Sequence, residues 1–185
     1  EIKEIEFKWH AGLSVSQKQK SIDSLHNAAQ KELKLQKILE ISSKSRTSLG
    51  ISLSAFNLKL INKEGIKASV EVFFQGSKVF SLGGPYNDLY YKTSREAKKD
   101  PRLLESGDLI AFNYDFEDWP LMPPTVFYDW IYCSALQQNK SQAEALVQFD
   151  AFTDIEFNPD KSINCQAASA ALYVSLINKD LINKA

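Results

Sequence analysis

The chain has 185 residues, of which 44% are hydrophobic and 24% are charged, and its formal net charge is −1. This length supports one domain with a substantial core, whereas two domains would each be small. A net charge close to zero argues against strong non-specific attraction to nucleic acid, so any nucleic-acid substrate has to be recognised locally. The apolar runs are too short to span a membrane and no signal peptide is visible, so we expect a cytoplasmic protein without a membrane partner.

The cysteines, histidines and glycines argue against several cofactor-dependent classes. Cys133 and Cys165 form no CxxC pair, and His10 and His26 lie far from both, so we expect free thiols and no metal ion. The chain has seven glycines and contains neither GxGxxG nor a phosphate loop nor a GxSxG elbow. We therefore expect no cofactor.

The first part of the chain predicts one amphipathic helix followed by two strands. Ser14 or Ser16 is positioned to cap a helix that runs to about Leu33, with apolar residues at helical spacing. Strands are predicted over 37–41 and 55–61, separated by the polar residues 42–47, and a turn is predicted over 62–65.

The next segment, residues 69–80, predicts a buried helix with one polar stripe. Glu71, Gln75 and Lys78 stand at i, i+4 and i+7, while most other positions are apolar. A buried helix does not carry an acid, an amide and an amine in a row unless they meet something polar. The stripe therefore predicts the lining of a ligand cavity, and the alternative is a Glu–Lys pair on a solvated face.

The remaining elements mix helices and strands without strict alternation, which favours the α+β class, mostly helical with a small sheet. Thr93 or Ser94 predicts a cap for a short helix, and the residues from Ser141 to Glu144 match a capping box for a later one. Further strands are predicted over 109–112 and 153–157, and further helices over about 125–138 and 166–177.

Two motifs at a suitable spacing carry a family resemblance. Leu53-Ser54-Ala55-Phe56-Asn57 and the helix Val70–Phe80 resemble the Leu/Phe-Ser-Asn-Phe and Glu-His-x-x-Gln-x-x-Lys-Phe motifs of NADAR-domain proteins. Weaker similarity extends through Ser94–Lys98, Asp118-Trp119 with Met122, residues 145–156 and Asn164. The resemblance covers about residues 38–178 and is closest to the antitoxin partners of DarT-type DNA ADP-ribosyltransferase toxins. It implies a single NADAR-like domain over 1–185, with an N-terminal helical extension over about 1–36.

Two departures separate this chain from other members of that family. Val72 stands where the family has histidine, and Asn158–Asn164 replaces a longer Asp-x-x-Trp-Gly stretch. The second change puts in doubt the pyrimidine substrate of the riboflavin-pathway members. The general N-glycosidase interpretation is unaffected.

The resemblance implies an N-glycosidase that removes ADP-ribose from the guanine amino group of DNA, with RNA as a further substrate to consider. Free ADP-ribose is then the product, and a DarT-type toxin is the functional partner. Two alternatives remain at this stage. One is a non-catalytic module that binds ADP-ribose, a nucleotide or the toxin; the other is an N-glycosidase that acts on a small metabolite.

Three residues are the candidate catalytic groups. Glu71 is suited to stabilise an oxocarbenium-like centre or to orient water. Lys78 is suited to hold positive charge near a phosphate or the leaving base, and either Lys78 or Lys44 could form a Schiff base with the opened ribose. Glu156 is the candidate partner carboxylate of Glu71, with a surface ion pair to a lysine as the alternative.

The candidate substrate-binding residues are chosen because their side chains carry hydrogen-bonding groups or aromatic rings. The cations and hydroxyls of residues 44–46 suit a phosphate, although a solvated loop would look the same, and Phe56 and Trp119 suit base stacking, although each is also typical of a core. Amides and one further acid complete the set. The full list is Lys44, Ser45, Arg46, Phe56, Asn57, Gln75, Trp119, Asp160 and Asn164.

Overall fold

The computed structural model describes residues 1–182, and the α+β class is confirmed: 43% of the structure is helical and 14% is in strands. No helix among these residues is long and apolar enough to cross a membrane. In chain order the helices are α1 (Val15–Leu33), α2 (Ser48–Ser52), α3 (Val70–Gly76), α4 (Ser94–Lys98), α5 (Arg102–Glu105), α6 (Val126–Gln138), α7 (Lys140–Leu146) and α8 (Gln166–Asn178), with a 3₁₀ helix over Asn87–Tyr91. The strands are β1 (Ile38–Glu40), β2 (Lys59–Ile61), β3 (Lys67–Ser69), β4 (Lys78–Phe80), β5 (Leu109–Tyr114), β6 (Glu117–Trp119) and β7 (Ala151–Thr153).

The chain folds as two compact units. Unit 1 contains Glu1–Ser54 and the chain from Ser141 onward, and unit 2 contains Ala55–Lys140. In unit 1, β1 pairs in parallel with β7, so that Glu40 stands opposite Thr153. Helix α8 packs on β7, and α1 contacts β1. A parallel pair of this kind needs a long connection, which here includes all of unit 2.

Unit 2 is built around buried aromatic rings. Strands β4, β5 and β6 form an antiparallel sheet, and β2 and β3 form a separate hairpin. Phe74 of α3 lies against Phe112 of β5 and Phe127 of α6, with ring centroids 5.3 and 6.2 Å apart. All seven residues of α3 are buried. The sequence prediction of a buried helix at this position is therefore confirmed, although the helix is shorter than predicted.

Local capping signals gave correct starts for two helices. Ser14 caps α1 by accepting a hydrogen bond from the Gln17 amide, and α1 ends at Leu33 as predicted. Thr93 caps α4, where Glu96 reaches back to the Thr93 amide and completes a capping box.

Four predicted boundaries are wrong, and the first is the start of the strand predicted over 55–61, since the chain turns there and β2 begins only at Lys59. Helix α3 ends at Gly76, because the Ser77 carbonyl accepts the Asn113 amide and the chain continues as β4. Helix α7 already begins at Lys140, so Ser141 lies inside it and is not its cap. Strand β7 ends at Thr153, because the chain turns after Asp154, and Glu156 is therefore not on a strand.

Gly50 lies in α2, which follows the candidate phosphate-binding residues 44–46 and packs closely against β1. A Cβ atom at this position would overlap the Glu40 carbonyl oxygen and the Ser45 side chain. The Glu40 oxygen belongs to the backbone of a strand, so it cannot move aside as a flexible side chain would. Only glycine permits α2 to approach β1 this closely.

The mutation Gly50→Ala is expected to lower the free energy of unfolding by about 3 kcal/mol, because the added methyl overpacks the contact between α2 and β1. Urea denaturation followed by circular dichroism measures the effect. Ser48→Ala, at an exposed position of the same helix, is the control and should change stability by less than about 0.5 kcal/mol. Equal stabilities of the two variants would contradict the close approach.

Candidate functional site

Hydrogen bonds around the first turn of α3 fix the position of Glu71. The Ser69 hydroxyl caps the helix, and the Glu71 amide donates to the Ala55 carbonyl at 2.9 Å. The Ser94 hydroxyl donates to the Phe56 carbonyl at 2.8 Å and also contacts the Ser69 hydroxyl at 2.8 Å. These bonds join the turn that carries Phe56, the start of α3 and the start of α4.

The carboxylate of Glu71 is buried and has two polar partners. Glu71 is 5% exposed, the Gln75 side-chain amide donates to its Oε1 at 3.0 Å, and Lys98 Nζ lies 3.6 Å from the same oxygen. Its place in the first turn of α3 also favours a negative charge, because the helix dipole is positive there. The predicted pairing of Glu71 with Gln75 along one face is therefore present.

Gln75 has one polar atom without a partner among the described residues. The residue is 7% exposed, and its Oε1 accepts no hydrogen bond within the part of the chain that the structure describes. A buried acceptor of this kind costs free energy unless a donor reaches it. Gln75 therefore offers an acceptor to a bound ligand beside the Glu71 carboxylate.

Lys78 reaches the same region by a different route from the one predicted. The prediction of one helical stripe through Glu71, Gln75 and Lys78 is wrong, because Lys78 is the first residue of β4 and pairs with Phe112. Its Nζ still lies 5.0 Å from the centre of the Phe74 ring. Burial lowers the pKa of Lys78; the charge of Glu71 opposes this effect and the charge of Lys98 adds to it.

Lys98 is a member of the site that sequence reasoning did not identify. It is the last residue of α4, and its Nζ lies 5.1 Å from the centre of the Phe56 ring. The only sequence signal was the similarity of Ser94–Lys98 to a short helix of the family. We refer to Glu71, Gln75, Lys78, Lys98 and Phe56 together as the Glu71 site.

The other predicted residues of unit 2 lie in different surroundings. Trp119 packs in the aromatic cluster, 4.6 Å from Trp130 and 5.6 Å from Phe127 between ring centres. Its indole nitrogen is buried and has no hydrogen-bond partner among residues 1–182. Asn57 is exposed in the turn before β2. The contacts of Trp119 are therefore those of a core residue, as the alternative interpretation expected. Its stacking on a base stays a prediction.

In unit 1 the candidate phosphate-binding residues 44–46 already have partners within the fold. Arg46 donates to Asp23 at 2.6 and 2.8 Å and to Gln19 at 3.3 Å. Ser45 is buried beside Thr47, and Lys44 is half-buried. A phosphate would therefore have to compete with Asp23 for Arg46.

The predicted acidic residues near the end of unit 1 are spread along an exposed loop. Glu156 is exposed, and its Oε1 forms a 3.0 Å ion pair with Lys18 Nζ. Asp160 is exposed in a turn, and Asn164 is half-buried just before α8. The roles of Glu156, Asp160 and Asn164 stay predictions.

Unit 1 also contains a buried acid, Glu40, and a half-buried one, Asp154. Glu40 is 2% exposed and accepts hydrogen bonds from the Thr153 hydroxyl at 2.6 Å and the Ile155 amide at 2.8 Å. Burial raises the pKa of Glu40. Burial, and then the charge of Glu40, raise the pKa of Asp154 to about 7. The sequence signal for Glu40 was its position between the apolar residues Leu39 and Ile41 at the end of β1.

Together the residues of the Glu71 site can stabilise positive charge on a sugar and supply donors to a leaving group. The buried carboxylate is poised to face a cationic centre, since burial strengthens charge interactions. A lysine with a lowered pKa has a larger neutral fraction, and the neutral amine is the nucleophilic form.

Comparison with known proteins identifies one family. The family model NADAR-DarT1, described as DarT1-associated NADAR antitoxin, matches residues 1–185. No curated protein matches the chain. The resemblance found in the sequence motifs is thereby confirmed over the whole chain.

The stability of the protein is expected to fall with rising pH because of Asp154. The ordinary pKa of this group is 3.8, and its folded value is about 7, so the folded state holds more protons between these values. The free energy of unfolding therefore decreases from pH 4 to pH 7, by up to about 1.4 kcal/mol per pH unit. Urea titrations across this range should show a flatter slope in Asp154→Asn. The exposed control Asp180→Asn should retain the wild-type slope, and an unchanged slope in Asp154→Asn would contradict the assignment.

Proposed function

We propose that this chain, which belongs to the NADAR-DarT1 family of DarT1-associated NADAR antitoxins, is an N-glycosidase that removes ADP-ribose from guanine in DNA. The family description supports the antitoxin role and a DarT1 toxin as its functional partner. The observation that carries the catalytic proposal is the buried Glu71 carboxylate, held by Gln75 and Lys98 with Lys78 close by.

The reaction breaks the bond between ribose C1″ and the amino nitrogen of guanine. As this bond weakens, positive charge develops on the sugar, and Glu71 is the group suited to stabilise it. Water then forms a bond to C1″, and one of its protons passes to the departing amino nitrogen. The products are unmodified guanine in DNA and free ADP-ribose, so no oxidation state changes and the reaction needs no redox cofactor.

A covalent route uses the lowered pKa of Lys78. When the ribose ring opens, the bond between C1″ and the ring oxygen breaks, the proton of the guanine amino nitrogen passes to that oxygen, and C1″ becomes doubly bonded to the nitrogen as an imine. The neutral Lys78 amine adds to C1″, its two protons pass to the guanine nitrogen, and guanine leaves with its amino group restored. Water then hydrolyses the new imine between C1″ and Lys78 Nζ and releases ADP-ribose. We favour this route because burial lowers the pKa of Lys78 in spite of the opposing charge of Glu71, and this half-buried amine lies at the Glu71 site.

The mutation Glu71→Gln is expected to slow removal of ADP-ribose from a guanine-modified oligonucleotide by about 10²–10³-fold, because the developing charge loses its counter-ion. Mass spectrometry of a single-turnover reaction measures the loss of the ADP-ribose mass. Glu64→Gln, at an exposed turn, is the control and should retain wild-type activity.

Each result of that experiment has a defined meaning once circular dichroism shows that both variants are folded. Cleavage by wild-type protein that is lost in Glu71→Gln supports the proposal. Tight binding without cleavage by wild-type protein would instead indicate a non-catalytic binding module. Cleavage of small ADP-ribosylated metabolites alone would indicate a different substrate class.

Reductive trapping distinguishes the covalent route from direct attack by water. With cyanoborohydride in the reaction, the imine becomes a stable amine, and the peptide containing Lys78 should gain the mass of reduced ADP-ribose. Lys78→Arg keeps a positive charge and should abolish both the adduct and turnover, whereas Lys44→Arg should retain both. An adduct on Lys44, or turnover by Lys78→Arg, would contradict the role of Lys78.

A further inference from the structure

A strongly basic segment of the chain begins close to the Glu71 site. Residues 92–102 contain five cations and two carboxylates, a net charge of +3 in a chain whose overall net charge is −1. The segment covers α4 and the start of α5. Such a local concentration of positive charge is unexpected for a chain of this composition and points to a negatively charged partner.

The geometry of α4 exposes these cations on one side. Ala97 is 0% exposed, so it faces the core of unit 2. Arg95 and Lys99 stand at i and i+4, about opposite to Ala97 on the helix, and both are exposed. Lys92, just before the Thr93 cap, is exposed as well. Lys92, Arg95 and Lys99 form no ion pair with any residue that the structure describes.

The acids of the segment are held by other partners. The Glu96 carboxylate accepts hydrogen bonds from the Thr93 amide and hydroxyl, at 2.9 and 2.7 Å. Asp100 is bound by Arg102, with 2.8 Å between Nε and Oδ1. Arg102 also binds Asp88 at 2.8 Å. Lys92 acts on these acids through its charge alone, and among the described residues neither acid forms a direct hydrogen bond or ion pair with the side chains of Lys92, Arg95 or Lys99.

Lys98 connects this surface to the Glu71 site. Its side chain is 57% exposed, and its ammonium reaches the Glu71 carboxylate at 3.6 Å. On the helix Lys98 lies between the inward side of Ala97 and the outward side of Arg95 and Lys99. If the modified guanine of a DNA strand enters the Glu71 site, the phosphates on either side of that guanine would lie along the outer side of α4.

We propose that Lys92, Arg95 and Lys99 bind the phosphates of the DNA strand that flank the modified guanine. This inference rests on the proposed function for its substrate. Phosphate contacts position a strand without reading its sequence, which suits an enzyme whose specificity comes from the ADP-ribosyl group. The basic surface also accounts for local recognition of nucleic acid by a chain with almost no net charge.

The test replaces all three cations, in Lys92→Gln/Arg95→Gln/Lys99→Gln, and leaves Lys98 in place. Fluorescence anisotropy measures binding of a modified single-stranded oligonucleotide between about 50 and 200 mM salt. We expect at least tenfold weaker binding at the lower salt, and a slope of log K against log salt reduced by about 2, since each lost phosphate contact contributes about 0.7. The matched control Lys59→Gln/Lys67→Gln/Lys140→Gln changes the net charge equally at exposed positions of unit 2 and should bind within twofold of wild type.

Cleavage assays separate this inference from the proposed function. On the oligonucleotide, kcat/KM of the Lys92/Arg95/Lys99 variant should fall at least tenfold more than on ADP-ribosyl-guanosine, which has the pyrophosphate but no flanking DNA phosphate. Equal losses on both substrates would assign the cations to the pyrophosphate and overturn the inference. Equal weakening of DNA binding in the matched control, or none in the test variant, would also overturn it. If wild-type protein binds DNA through these residues but cleaves neither substrate, the proposed function fails and the DNA-binding role of Lys92, Arg95 and Lys99 stands.

Discussion

The buried negative charge of Glu71 is the constraint around which unit 2 is organised. A carboxylate that is 5% exposed is costly unless charges and hydrogen bonds compensate it. The compensation comes from Gln75 on the same helix, from Lys98 on α4 and from the charge of Lys78 on β4. Three separate elements must therefore meet at one carboxylate, and the Ser69 and Ser94 hydroxyls help to hold two of them together.

The same compensation leaves the carboxylate available for chemistry. Lys98 lies at 3.6 Å, a long ion pair, and 57% of its side chain is exposed, so it can move toward a ligand without unfolding α4. Gln75 retains an unused acceptor among the described residues. A site that was fully satisfied internally, such as Glu40 with its Thr153 and Ile155 donors, would have to break two short hydrogen bonds before it could act on a substrate.

Sequence reasoning succeeded where the determining interactions are local and failed where they are tertiary. The caps of α1 and α4 depend on residues three positions apart, and both could be predicted. Glu71 and Gln75 were identified by helical spacing, which holds over a single turn. The end of α3 could not be predicted, because it depends on the Asn113 amide, which belongs to a strand 36 positions further along the chain. Lys98 was overlooked for the same reason.

The charge distribution is compatible with the proposed action of a nearly neutral chain on a polyanion. Net charge predicts only the long-range attraction, and at physiological salt that attraction is screened beyond about 8 Å. Within that distance the positions of the individual charges around α4 matter more than the net charge of the chain. Arg102 binds Asp88 and Asp100, and the Thr93 cap binds Glu96. These acids therefore have partners within the fold, whereas the positive charges of Lys92, Arg95 and Lys99 are exposed to solvent. Under the proposed function, the weak overall field would limit binding to unmodified DNA, and binding of the ADP-ribosyl group in the Glu71 site would decide where the protein is retained.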